Sequence, residues 1–152
     1  MIIDVSSEDE TKNIGKNIGD FLKGGEFIEL IGDVGAGKTT LVKGIAVGLE
    51  IDEYIQSPSF TINRVYSGHN NITLIHYDFY RINDAGIMAN EIKEYIDEPD
   101  TVVIIEWADA VKDILPTDRL SIEIISTNEI SRKIKISSSG KNSSKIMETL
   151  KI

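Results

Sequence analysis

The chain reads as an α/β protein, and three stretches carry that reading. Phe27-Ile28-Glu29-Leu30-Ile31 is an apolar, β-branched run with the character of a buried strand. Thr101-Val102-Val103-Ile104-Ile105 is a continuous β-branched run, the pattern of a strand covered on both faces. Between them, Leu41, Val42, Ile45, Ala46 and Leu49 recur at helical spacing over residues 38–49. The 152 residues suggest one domain, 1–152, and a chain of this size buries about 68–70% of its unfolded surface.

Met1-Ile2-Ile3-Asp4-Val5 opens the chain as a short strand. Ser7 with Glu10 three residues on has the form of a capping box. The helix it starts is expected to run to about Leu22, with Thr11, Ile14, Ile18, Phe21 and Leu22 on or near one face, and Gly24-Gly25 ends it. The strand at 27–31 then runs into Gly32-Asp33-Val34-Gly35-Ala36-Gly37-Lys38-Thr39, a glycine, four residues, then Gly-Lys-Thr. That is the spacing of a phosphate-binding loop. A triphosphate tail needs many donors at close range. The glycines let successive N–H groups turn inward as an anion nest. Lys38 reaches the outer phosphates, and Thr39 offers a hydroxyl to the magnesium ion that travels with a nucleotide. The loop joins a strand end to a helix N-terminus, where the helix dipole favours an anion. The nucleotide-binding set is therefore Gly32, Asp33, Val34, Gly35, Ala36, Gly37, Lys38, Thr39 and Thr40. Thr11 joins it as an adenine-side contact, because the N-terminal helix is expected near the loop.

Pro58 breaks any helix, and Ser57 before it is extended. Residues 60–66 and 72–77 alternate weakly around the turn-rich Ser67-Gly68-His69-Asn70-Asn71, giving a β-hairpin. The hydroxyl-rich stretch from Ser57 to Thr61 is either an ordinary loop or a segment that senses a γ-phosphate. Asp78 stands where the second hairpin strand gives out, a position from which a carboxylate orients water or holds magnesium through water. His76 reads as a packed histidine; Arg81 either ties Asp78 or a later acid in place, or faces solvent. Residues 86–96 read as a helix with Glu91 and Glu94 exposed. The buried strand at 101–106 ends in Glu106. Phosphate-loop hydrolases keep a carboxylate at such a strand end for the magnesium shell; the plain alternative is a surface glutamate. Trp107 packs beside it. A short helix over 109–115 closes at Pro116, a second hairpin covers 120–125 and 130–136, and residues 143–150 form a last helix. Lys38, Asp78 and Glu106 are the catalytic candidates, and Thr39 and Glu106 the metal-binding ones.

The formal net charge is −9 and unevenly spread: residues 1–127 carry 10 basic and 23 acidic side chains, residues 128–152 carry 6 and 2. The acidic body is expected to repel nucleic acid, so direct contact with nucleic acid is absent or secondary. Arg132, Lys133, Lys135, Lys141 and Lys145 form either a solvated face or a surface for an acidic partner or RNA, and the solvated face is preferred. Cysteine is absent, which excludes disulfides and thiolate metal sites. The short acidic N-terminus differs from a signal peptide, and no apolar run approaches a membrane span. A cytoplasmic protein is the expectation.

Four segments together resemble the TsaE (YjeE) family, bacterial ATPases required for the threonylcarbamoyladenosine modification of tRNA. They are residues 32–40, Ser57-Pro58-Ser59-Phe60-Thr61, His76-Tyr77-Asp78-Phe79-Tyr80-Arg81, and Glu106-Trp107. Ser59 replaces the commoner Thr with the hydroxyl kept, and Ala108 stands where Pro often follows Glu-Trp. The resemblance covers nearly the whole chain. It implies a P-loop NTPase-like fold with a mixed central sheet flanked by helices, ATP and Mg2+ as ligands, and weak hydrolysis by the isolated protein. It also implies the TsaD and TsaB subunits as partners, whose complex the ATPase resets or regulates. Two rivals stand beside it, a small-molecule kinase and a nucleotide-gated binding module with little turnover. The kinase needs cations to clamp the transferred group, and this chain has four arginines and no insertion long enough for an arginine-rich lid.

Overall fold

Both apolar runs become central strands. In the computed structural model, which describes residues 1–150 and so leaves the last two of the expected 1–152 domain outside, β2 (Phe27–Ile31) and β5 (Thr101–Glu106) pair in parallel with Leu30 opposite Glu106. β4 (Thr73–Asp78) pairs in parallel with the other edge of β5, placing Asp78 opposite Glu106. β3 (Asn63–Ser67) closes the first hairpin against β4. β6 (Leu120–Ser126) flanks β2 in parallel and turns back antiparallel into β7 (Arg132–Ser138), to which β1 (Ile2–Val5) adds. One mixed seven-stranded sheet results, in the order β1-β7-β6-β2-β5-β4-β3. Because β2, β5 and β4 are adjacent and parallel, the phosphate-loop sequence, Glu106 and Asp78 emerge along the same end of the sheet.

The burial of β5 explains its unbroken apolar run. Val102 and Ile104 face one core, with Ile28, Leu30, Ile122 and Ile134, beneath α1 (Glu8–Gly19) and α2 (Lys38–Gly48). Val103 and Ile105 face the other, with Phe27, Ile75 and Tyr77, beneath Ile92 of α3 (Ile87–Tyr95) and Val111. α4 (Lys141–Thr149) adds Ile146 to the first core.

Several boundaries differ from the sequence expectation. α1 ends at Gly19 rather than Leu22, because the chain tightens there: the amides of Phe21 and Leu22 donate to Ile18 and Gly19, three residues back. Its cap is a variant of the expected box. Ser7 Oγ accepts from the Glu10 amide at 3.1 Å, but the Glu10 carboxylate accepts from the Ser6 amide rather than from Ser7. The helix expected over 109–115 is a 3-10 helix over Ala108–Ile114, entered through Trp107 in a left-handed conformation. Glu91 is not free in solvent: it accepts from the Tyr77 hydroxyl and from Asn63 Nδ2, tying α3 to the first hairpin. Burial pushes the Tyr77 phenol up, and the Glu91 carboxylate adds to the shift, so Tyr77 remains a donor.

α1 reaches the phosphate-loop helix through glycine. Gly15 and Gly19 of α1 meet Gly44 and Gly48 of α2 backbone to backbone, and a Cβ on Gly15 would overlap the Leu41 carbonyl while one on Gly44 would overlap that of Lys12. Four glycines at spacing four thus let the N-terminal end of α1 lie beside the loop. Among the described residues no helix is long and apolar enough to cross a membrane.

Candidate functional site

The three strand ends, the start of α1 and the β6–β7 turn enclose a cavity of about 920 Å3. Thr11, Val34, Gly35, Gly37, Lys38, Thr39, Thr40, Asp78 and Glu106 all line it. Gly32, Asp33 and Ala36, expected in the same set, face instead a second cavity of about 550 Å3 behind the loop. The loop backbone needs its glycines: Gly32 and Gly37 have φ of 154° and 111°, and a Cβ on Gly32 would sit 2.6 Å from the Ile124 carbonyl.

Lys38 is 6% exposed and folds over its own loop. Its Nζ donates to the carbonyls of Gly32 at 2.8 Å and Asp33 at 2.9 Å, lies 3.7 Å from Glu106 Oε2, and sits 5.1 Å from the centre of the Trp107 ring. Glu106 is itself 4% exposed, so the surface-glutamate alternative is set aside. Its other oxygen, Oε1, is 2.8 Å from Nε2 of the buried His76. His76 is therefore packed, as expected, but packed against an acid; its Nδ1 is buried without a partner among the described residues. Asp78 Oδ2 accepts from Ser59 Oγ at 2.8 Å and Oδ1 from the Tyr80 amide at 2.8 Å, while Ser59 Oγ is 2.7 Å from Ser57 Oγ. The hydroxyl-rich segment thus joins the site through Asp78. Thr11 is buried on the α1 wall and donates its hydroxyl to the Ser7 carbonyl.

Of the two expectations for Arg81 the solvent-facing one holds, whereas Arg132 departs from the solvated face expected of it. Arg81 does not pair with Asp78 or a later acid; its guanidinium lies 5.0 Å over the Tyr80 ring. Arg132 leaves the basic tail for the site: Nε donates to the Ala36 carbonyl at 2.8 Å, and Nη1 to the carbonyls of Asn128, Glu129 and Ser131. Of the other tail cations, Lys135 pairs with Glu123 and Lys133 approaches Asp4, so this strand is a solvated, paired face. Ser6, Ser7, Glu8, Glu129, Ile130 and Arg132 are lining residues that the sequence reading missed. The capping residues carried a signal, since the start of α1 was expected near the loop; the β6–β7 turn, some 90 residues downstream, carried none.

A family model described as "Threonylcarbamoyl adenosine biosynthesis protein TsaE" matches residues 5–134, a span that contains every motif residue. The chain belongs to the TsaE family. A TsaE protein of Bacillus subtilis (strain 168), named for tRNA threonylcarbamoyladenosine biosynthesis, is 37% identical over 142 residues, covering 93% of this chain and 88% of that protein. A TsaE protein of Nostoc sp. is 34% identical over 135 residues, covering 87% and 82%. The crystal structure of Bacillus subtilis YdiB is similar with a TM-score of 0.81 at 32% identity, over 97% of this chain and 91% of that one. The P-loop NTPase-like α/β fold with a mixed sheet, implied by the motifs, is thus the fold of this TsaE-family chain.

Proposed function

We propose that this chain is a Mg2+-dependent ATPase of tRNA threonylcarbamoyladenosine biosynthesis, slow on its own, whose nucleotide cycle regulates or resets a TsaD–TsaB complex. One observation carries the reading: Lys38, Thr39, Asp78 and Glu106 converge on a single cavity of about 920 Å3 at the carboxyl ends of parallel strands. Its volume suits a nucleotide-sized ligand.

The roles follow from the contacts. Lys38 satisfies its ammonium on two loop carbonyls, and a triphosphate competes for it with full charge. Thr39 and Glu106 are hard oxygen donors of the kind magnesium accepts. When bound, the ion neutralises charge on the phosphates. Asp78, held by Ser59 and the Tyr80 amide, has the fixed orientation that positioning a water requires. Thr11 on the α1 wall and Ile130 in the β6–β7 turn both line the cavity and are the candidates for contact with a base. Exposed Val34, Phe60 and Ile130 at the same cavity offer a partner an apolar contact that includes the hydroxyl-rich segment.

Phosphate release from ATP, measured for the chain alone and with TsaD and TsaB, tests the reading. Slow release that rises with the partners is expected. Release absent in both conditions removes the ATPase and favours the binding module.

A further inference from the structure

We propose that Arg81, in addition to Lys38, contacts the terminal phosphate of a bound nucleoside triphosphate, resting on Tyr80 until that phosphate is present. The inference rests on the nucleotide-site reading above and names a second cation that reads the third phosphate.

Three cations line the cavity: Lys38, Arg81 and Arg132. Lys38 donates to two loop carbonyls, and Arg132 to four carbonyls at the loop and the β6–β7 turn. Arg81 has neither a hydrogen bond nor an ion pair among the described residues, and its recorded contact is the face of Tyr80 at 5.0 Å. Its guanidinium therefore keeps its donors for a ligand. Tyr80 in turn lies 5.1 Å from Trp107, and Trp107 carries Lys38 Nζ 5.1 Å from its centre. A stack of cation, ring, ring and cation thus runs along the cavity wall from the end of β4 to the phosphate-loop lysine.

The backbone is bent to build that stack. Arg81 has a φ of 61° and Trp107 a φ of 55°, left-handed conformations that non-glycine residues seldom adopt, and each follows closely on a strand-end carboxylate. Such strain clusters where function requires it. The chemistry of the resting place is also apt. An exposed cation–π contact is weaker than a charge-assisted hydrogen bond, so a phosphate displaces the ring. The planar fork matches two phosphate oxygens, and charge on the transferred group is what phosphoryl transfer must neutralise.

The test is calorimetric titration of the full chain with ADP and with the imido-bridged ATP analogue, both with Mg2+. Arg81→Ala is expected to weaken the analogue about tenfold or more while leaving ADP within about twofold, and Arg81→Lys, which keeps the charge but not the fork, falls between. Trp107, the single tryptophan, reports the resting contact. Its emission is expected to change differently with the analogue than with ADP, and Arg81→Ala removes that difference. If the wild-type chain binds both ligands and Arg81→Ala keeps their affinity ratio, or weakens both alike, Arg81 is not the contact and the site reading survives. If the wild-type chain binds neither, both readings fall together.

Discussion

Glu106 directs one carboxylate oxygen at His76 and the other toward Lys38, so the buried acid lies between two nitrogen partners. Buried charges need such pairing, and the pairing fixes the orientation in which the carboxylate meets the cavity. Two predictions belong to this scale. Lys38→Ala is expected to weaken ATP by about 1.5–3 kcal/mol, the range of charge-assisted hydrogen bonds, and unchanged affinity by calorimetry would remove the nucleotide site. Glu106→Gln is expected mainly to weaken magnesium dependence, whereas Asp78→Asn lowers turnover and leaves nucleotide binding near normal. A metal titration beside a steady-state assay checks the split; the opposite pattern means that the two acids exchange roles. Both acids were legible in the sequence because each stands at the end of a predicted strand, Glu106 after an unbroken apolar run and Asp78 after a weakly alternating one. Their partners were not: Ser59 is 19 residues from Asp78, and His76 is 30 from Glu106, separations that no local pattern bridges.

Elements were legible wherever one periodicity dominated, and least legible where a helix packs by the absence of side chains. α1 and α2 show their apolar stripes plainly, yet what sets their distance is Gly15 and Gly19 against Gly44 and Gly48, positions that an apolar pattern skips. Gly44→Ala is expected to cost about 1–3 kcal/mol through overpacking, read as a lower urea midpoint. It also moves the α1 wall, so nucleotide affinity falls with stability. Equal stability to wild type would mean that the two helices separate without penalty. α4 depends on a cap from outside its own sequence: Asp118 accepts from the amides of Asn142 and Ser143, and a Cβ on Gly140 would overlap Asp118. Burial by itself raises the Asp118 carboxyl, but the amide bonds from Ser143 and Asn142 outweigh it and hold the group below its ordinary value. A carboxyl lowered on folding stabilises fully above its unfolded pKa, about 3.9, and loses that contribution as pH falls through the lower folded value. Thermal melts near pH 6 are expected to show Asp118→Asn less stable than wild type, with the gap narrowing near pH 3. A gap that is constant with pH would assign the effect to packing rather than to the ionised cap.

Across the whole molecule, the sheet order turns separate motifs into one site. Three parallel neighbours, β2, β5 and β4, bring residues 32–40, Glu106 and Asp78 to a common end, although the sequence alone does not state which strands are neighbours. The same end carries the exposed Phe60 and the bond from Ser59 to Asp78, so the proposed water-positioning acid is tied directly to the exposed Ser57–Thr61 segment. A cycle of this kind has a thermodynamic signature. If ATP and ADP set the Ser57–Thr61 segment differently, the partner complex binds the two forms with different affinity. By linkage the partner then changes the affinities for the two nucleotides by the same ratio. An arginine supplied in trans adds a rate effect of up to 10³–10⁵ in other phosphoryl-transfer systems, so acceleration by the partner is expected alongside the affinity difference. The measurement is the affinity of the chain for a TsaD–TsaB complex in ATP, in ADP and without nucleotide, with turnover followed in the same samples. Unequal affinities, and faster turnover in the complex, are the expected result. Equal affinities in all three states with no change in rate would leave regulation without a mechanism, and would turn attention to a small-molecule acceptor in the cavity beside Asp78.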